Sequence, residues 1–154
     1  MILAVTGHRP ERLGSVPDFV NYFGQFLVNN PVTKIYVGMC EGADFEAAKV
    51  ADLMGVPYVA VRPWLGHRSG SIHEYDEILN QAQSVKVLDQ SMDYPGAHAY
   101  HNRNMFMVDN SDTVFAAWDG IARGGTYQTK NYAKNNGKRV YHYNVVTPSA
   151  SRWL

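Results

Sequence analysis

Residues 100–129, YHNRNMFMVDNSDTVFAAWDGIARGGTYQT, decide the fold. The segment reads as a polar-edged helix, a buried strand at 113–117, and a turn of small residues (Gly120, then Gly124, Gly125 and Thr126) that opens a further helix. A strand that delivers glycines to a helix start aims unsatisfied backbone N–H groups, at the positive end of the helix dipole, at one point in space. An anion, most often a phosphate, fits such a point.

Working outward, the same alternation recurs along the chain. Ile2 to Val5 is an apolar run that stops at Thr6 and Gly7, as a buried parallel strand does. The following HRPERLGSVPD reads as a loop, and Phe19, Tyr22, Phe23, Phe26 and Leu27 then lie on one helical face. A strand at 34–37 runs into Gly38-Met39-Cys40-Glu41-Gly42, and the next helix carries Ala43, Ala47, Val50, Ala51 and Met54 on one stripe. Further strands are expected at 58–61, 85–88 and 140–143, with helices at 74–83, 99–110 and 126–136. The stretches RPWLGHRSGSIH and DQSMDYPGAH lack a period and read as irregular connections. Strands alternating with helices predict an α/β, Rossmann-like three-layer sandwich with a mostly parallel sheet, formed as one domain over residues 1–154.

Composition narrows the function classes. Fourteen Lys and Arg balance fourteen Asp and Glu, so no overall field draws the protein to nucleic acid or an anionic membrane, and both are expected to be absent as partners. The single cysteine, Cys40, cannot form an internal disulfide, which fits a reducing compartment. The opening MILAVTG is too short to span a bilayer and lacks the basic flank of a signal peptide, so the expected location is cytoplasmic. Ten tyrosines and three tryptophans supply surface for subunit contacts or base stacking.

Three glycine-bearing turns follow strands: at Thr6-Gly7, at 38–42 and at 120–125. In an open parallel sheet all three lie at the carboxyl edge, where ligands bind at a reversal of strand order. None matches the dinucleotide fingerprint or the Walker pattern.

With these residues placed, the chain resembles the SLOG superfamily, which groups YpsA-like proteins, DprA/Smf proteins and LOG-type nucleotide phosphoribohydrolases. The resemblance is to the YpsA-like branch, through a TGHR turn (Thr6, Gly7, His8, Arg9), a GAD turn (Gly42, Ala43, Asp44), an RN...MV..SD segment (Arg103, Asn104, Met107, Val108, Ser111, Asp112) and a WDG...GGT...T segment (Trp118, Asp119, Gly120, Gly124, Gly125, Thr126, Thr129). It implies a nucleotide or nucleotide-derived ligand and a homo-oligomer. In the LOG-type enzymes the phosphate motif ends in a glutamate that acts at the ribose, aided by an arginine matched here by Arg103. Thr129 stands where that glutamate would be and cannot ionise near neutrality, which counts against the hydrolase reading.

Each candidate has an ordinary alternative. Gly124, Gly125 and Thr126 either cradle phosphate or start a helix. Arg9, beside His8, either binds phosphate or forms a surface ion pair. Gly38, Gly42 and Ala43 line the second turn, where Asp44 either accepts from a ribose hydroxyl or complements a helix dipole. Arg103 points into the pocket or pairs with Asp109 or Asp119, and Asn104 reads base or ribose. Asp119, at a strand end, is the candidate catalytic carboxylate alongside Arg103, with Asp44 as the other choice, or else part of an Asp-Gly turn. Trp118 and Tyr100 stack on a base or pack in the core. Six histidines show no metal-ligand spacing, so no metal and no cofactor is expected, and Cys40 is either a nucleophile or a small packing residue.

Overall fold

The computed structural model describes residues 1–154. Seven strands form one sheet: β1 (Ile2–Gly7), β2 (Lys34–Val37), β3 (Tyr58–Arg62), β4 (Ser84–Val87), β5 (Thr113–Trp118), β6 (Arg139–Asn144) and β7 (Arg152–Trp153). The helices are α1 (Pro10–Leu13), α2 (Val16–Asn29), α3 (Ala43–Met54), α4 (Ile72–Gln81), α5 (His98–Asp109) and α6 (Gly125–Asn135). The strand order is β4-β3-β2-β1-β5-β6-β7, and every pairing is parallel except β6 with β7. This is the α/β Rossmann-like sandwich expected from the alternating pattern.

Alternating side chains of each strand feed two separate cores. Leu3, Val5, Ile35, Val37, Phe115 and Tyr143 face α2, α3 and α4, whereas Ala4, Tyr36, Val59, Val114, Ala116 and Val140 face α5 and α6. The first core is aromatic. Phe19, Phe23 and Phe26, one helical face of α2, surround Phe115 with ring centroids 6.1, 5.0 and 5.2 Å away in edge-to-face contacts. Burial of such a ring contributes roughly 1.5–3 kcal/mol, so α2 is held by its aromatic stripe rather than by helix propensity. Ser15 caps it, its hydroxyl accepting from Asp18 N at 3.2 Å.

Two elements depart from the sequence expectation. The segment PERL, read as loop, forms α1: Pro10 presets the first helical position and Leu13 is fully buried, so tertiary packing rescues a single turn. After β6 the chain turns through a short 3-10 segment, Pro148–Ala150, and returns antiparallel as β7, with Trp153 packed on Tyr141 and Phe26. Two residues of strand carry too little periodicity to be read from sequence.

The topology places the site. Between β1 and β5 the strand order reverses, since β1 connects outward toward β2 while β5 connects away toward β6. Gly7 pairs with Ala117 at this junction, so the loops after β1 and β5 diverge from a common edge and leave a crevice there.

Candidate functional site

A cavity of ≈ 280 Å³ opens at that crevice, lined by residues from the ends of β1, the β2–α3 turn, α5 and the start of α6. Of the residues singled out in the sequence, Thr6, Gly7, His8, Arg9, Asp44, Arg103, Asn104, Gly125 and Thr126 line it together. Gly38, Gly42, Ala43, Asp119 and Gly124 are not among its lining residues. The first and last glycine turns, more than a hundred residues apart in sequence, therefore share one space.

Helix α6 begins at Gly125 with no side chain capping its first turn. Thr126 is only 6% exposed and Thr6 7%, yet neither hydroxyl has a hydrogen-bond partner within the chain. Both face the cavity, together with the free N–H groups of the α6 start. Hydroxyls that open onto a cavity without a partner of their own are free to bond a guest, so this wall suits an oxygen-bearing ligand. In the second turn of α6, Thr129 Oγ1 donates to Gly125 O at 2.7 Å, and Thr129 is not among the residues lining the cavity. The residue in the glutamate's place is thus absorbed into its own helix.

The same lining is also cationic. Arg103 Nη1 donates to the Gly38 carbonyl, and its Nε donates to Asn104 Oδ1 at 2.8 Å. It pairs with neither Asp109 nor Asp119; Asp109 instead accepts from Tyr132 Oη at 2.7 Å. The guanidinium groups of Arg103 and Arg9 lie 5.6 and 5.8 Å from the centre of the Tyr100 ring, which orients both toward the cavity. Tyr100 therefore lines the site as a platform for arginines, while Trp118 packs against His142 and donates Nε1–H to Ile121 O at 2.9 Å, away from the cavity.

The two candidate carboxylates have different surroundings. Asp44 lines the cavity in the first turn of α3 and accepts from Cys40 N at 3.1 Å. Burial raises its pKa, against the pull of the nearby Arg103. Asp119 is fully engaged: Arg12 of α1 donates to Oδ2, Ile121 N donates to Oδ1 at 3.0 Å, and His8 Nε2 lies 3.3 Å from Oδ1. Burial alone would raise this carboxyl, but the Arg12 and Ile121 hydrogen bonds and His8 outweigh it and hold it down to about 2. His8 itself is kept neutral chiefly by burial, and its Nε2 accepts from Asp119 N at 3.0 Å. Asp119 and His8 thus lock the β1 and β5 loops together.

Residues missed in the sequence reading are Arg12, Cys40 as a wall residue, and His67. Arg12 could have been found from the Pro-Glu-Arg helix start directly after the first turn. His67 could not, because it arrives on an aperiodic loop held by Arg62, whose Nη2 donates to the carbonyls of Leu65 and His67. No group of three or more His, Cys, Asp or Glu side chains converges to hold a metal ion.

These features define a Rossmann-like α/β domain with a polar, cation-rimmed crevice at the point where strand order reverses. Among solved structures, the fold is similar to that of DNA processing protein A (DprA) from Streptococcus pneumoniae, with a TM-score of 0.67, 20% sequence identity, and coverage of 91% of this chain and 49% of that one. The chain spans about half the length of that protein. That likeness is one of fold, the α/β Rossmann-like sandwich described above. No family model matches the chain, and no curated protein matches it.

Proposed function

We propose that this is a SLOG protein of the YpsA-like branch that binds a nucleotide or nucleotide-derived small molecule, for sensing or sequestration, in the crevice between β1 and β5. The observation that carries this reading is the pair of unpartnered hydroxyls of Thr6 and Thr126, which line one cavity with the open N-terminus of α6, Arg9 and Arg103. The phosphate sits on Gly125 and Thr126, Arg9 and Arg103 neutralise it, and Asp44 and Asn104 accept from or donate to the sugar or base. A cytoplasmic, homo-oligomeric protein is part of the same reading, with the lone thiol as the chemical support for a reducing compartment. The DNA-processing role named for the structural neighbour is less well supported, because the charges of this chain balance.

Thermal-shift and calorimetric titrations with nucleoside monophosphates, ADP-ribose, NAD and cyclic nucleotides test it. Binding of a phosphorylated ligand that is lost in Arg9→Gln is expected; no stabilisation by any phosphorylated compound removes the reading.

A second reading, hydrolysis of a nucleotide N-glycosidic bond, is favoured by one feature: a buried carboxyl with raised pKa, Asp44, lines the cavity. It suits proton donation to a leaving base, with Arg103 holding the phosphate, whereas Asp119 is committed to Arg12. Release of free base on incubation with nucleotides, lost in Asp44→Asn and kept in Asp119→Asn, supports this reading. No base released from any nucleotide rules it out.

A further inference from the structure

Cys40 lies on the cavity wall, 8% exposed, between Met39 and the start of α3. Three nitrogens converge on its sulfur, each 4.0 Å away: Arg9 Nη2, Arg103 Nη1 and His67 Nε2. The direction of the histidine contact follows from its other side. Tyr75 Oη accepts from Arg62 Nε at 3.2 Å, and the one acceptor within reach of its own proton is His67 Nδ1, 2.9 Å away. The imidazole is neutral, its pKa lowered to about 4 by burial and then by Arg103, Arg62, Arg9 and Arg68. A neutral ring that accepts at Nδ1 carries its hydrogen on Nε2, so His67 presents N–H to the sulfur.

The sulfur is therefore the acceptor for three N–H donors. Independently of it, the unpartnered hydroxyls of Thr6 and Thr126 face the same ≈ 280 Å³ space, which admits small polar molecules to the thiol. A peroxide is two oxygens in size, far smaller than this cavity.

We propose that Cys40 is a modification site for peroxide-class oxidants, reached through this cavity, and that its oxidation excludes the phosphorylated guest. In the step itself the sulfur attacks one peroxide oxygen. The S–O bond forms as the O–O bond breaks, and the departing oxygen takes up the thiol proton and leaves as water. Sulfur loses two electrons and the peroxide gains them, leaving a sulfenic acid. The new oxygen projects toward Arg9 and Arg103, the cations that otherwise face the anion. The site of oxidation rests on the thiol's surroundings alone; the exclusion clause rests on the nucleotide reading.

The full-length protein is treated with stoichiometric hydrogen peroxide in the presence of dimedone, and the adduct is mapped by mass spectrometry. The expected result is a Cys40 adduct formed ~10-fold faster than on free cysteine, slower in Arg9→Gln, and suppressed by saturating AMP or inorganic phosphate. Calorimetry of the reduced protein and of Cys40→Ser with the same two ligands runs in parallel, with loss of binding expected after peroxide treatment of the former only. An adduct no faster than on free cysteine, or one seen only after denaturation, overturns the inference while leaving AMP binding intact. Fast oxidation unaffected by AMP that demonstrably binds overturns the exclusion. Absence of AMP and phosphate binding to either protein removes the exclusion, and the adduct rate still decides the site.

Discussion

The Arg103 guanidinium lies flat against Gly38. Its Nη1 donates to the Gly38 carbonyl, and a Cβ added to Gly38 would come within 2.7 Å of Arg103 Cζ. The absent side chain is what lets an arginine from α5 reach across the end of β2 to the cavity. Gly38→Ala is expected to displace that guanidinium and weaken binding of a phosphorylated ligand by ~10-fold or more, measurable by calorimetry. Unchanged affinity in a folded Gly38→Ala protein would separate Arg103 from binding.

Gly7 makes the tightest approach at the strand junction. A Cβ there would lie 2.5 Å from Ala43 Cβ and 2.8 Å from Ala117 Cβ, both part of rigid elements that cannot yield cheaply. Gly7→Ala should lower stability by about 1–3 kcal/mol in urea titrations, through separation of α3 and β5 from β1. A melt that matches the parent protein would contradict this close packing.

Thr126 permits a cleaner separation of binding from folding. Its hydroxyl has no partner within the chain, so Thr126→Val should leave the unfolding midpoint nearly unchanged, while phosphate binding drops by ~10-fold or more through loss of a hydrogen bond to a charged group. A large loss of stability without loss of binding would assign the hydroxyl a purely structural role.

His67 sets an acid limit on stability. Its pKa in the folded protein is lowered to about 4, against an ordinary value of 6.5, so the unfolded chain binds a proton that the folded one refuses between those values. Stability is therefore full above pH 6.5 and falls as the pH drops toward 4, by about 3 kcal/mol in all. His67→Gln is expected to flatten that slope between pH 7 and 4 in denaturant titrations. An equal slope in both proteins would place the acid sensitivity elsewhere.

Asp119 acts in a lower window. Its folded pKa of about 2 lies below the ordinary carboxylate value of 3.8, so its stabilising contribution is present above that value and lost as the pH falls toward 2. In Asp119→Asn this acid loss should be absent, and the protein should be less stable at pH 7 because Arg12 loses its anion. Circular-dichroism melts from pH 7 to pH 2 distinguish the two curves.

How much of this was legible beforehand differs by level. The parallel sheet was readable because most strands are short apolar runs ended by a turn, and α2 and α3 carry apolar stripes, Phe19, Phe23 and Phe26 on α2 and Ala43, Ala47, Val50 and Ala51 on α3. The meeting of Thr6 with Thr126 followed from topology, since parallel strands send their carboxyl ends to one edge. Side-chain pairings were a different matter. Arg103 was read as entering the pocket or pairing with Asp109 or Asp119, and it bonds the Gly38 carbonyl instead of either carboxylate, because the decisive quantity was the empty volume over a glycine on another element. Likewise Arg12 takes Asp119, 107 residues away, a relation no local pattern encodes. His67 reached Cys40 on a loop shaped by Arg62, whose carbonyl contacts leave no periodic trace.

The reversal of strand order between β1 and β5 has a consequence for how such a protein diversifies. The crevice there exists because neighbouring crossovers depart in opposite directions, so it would survive replacement of nearly any single residue around it. Its floor belongs to the wiring of the chain, and its furnishings hang on the irregular connections, one carrying His67 and the other leading into α5 at Tyr100. Selection can therefore refit the guest by rewriting those two connections while the floor is inherited unchanged.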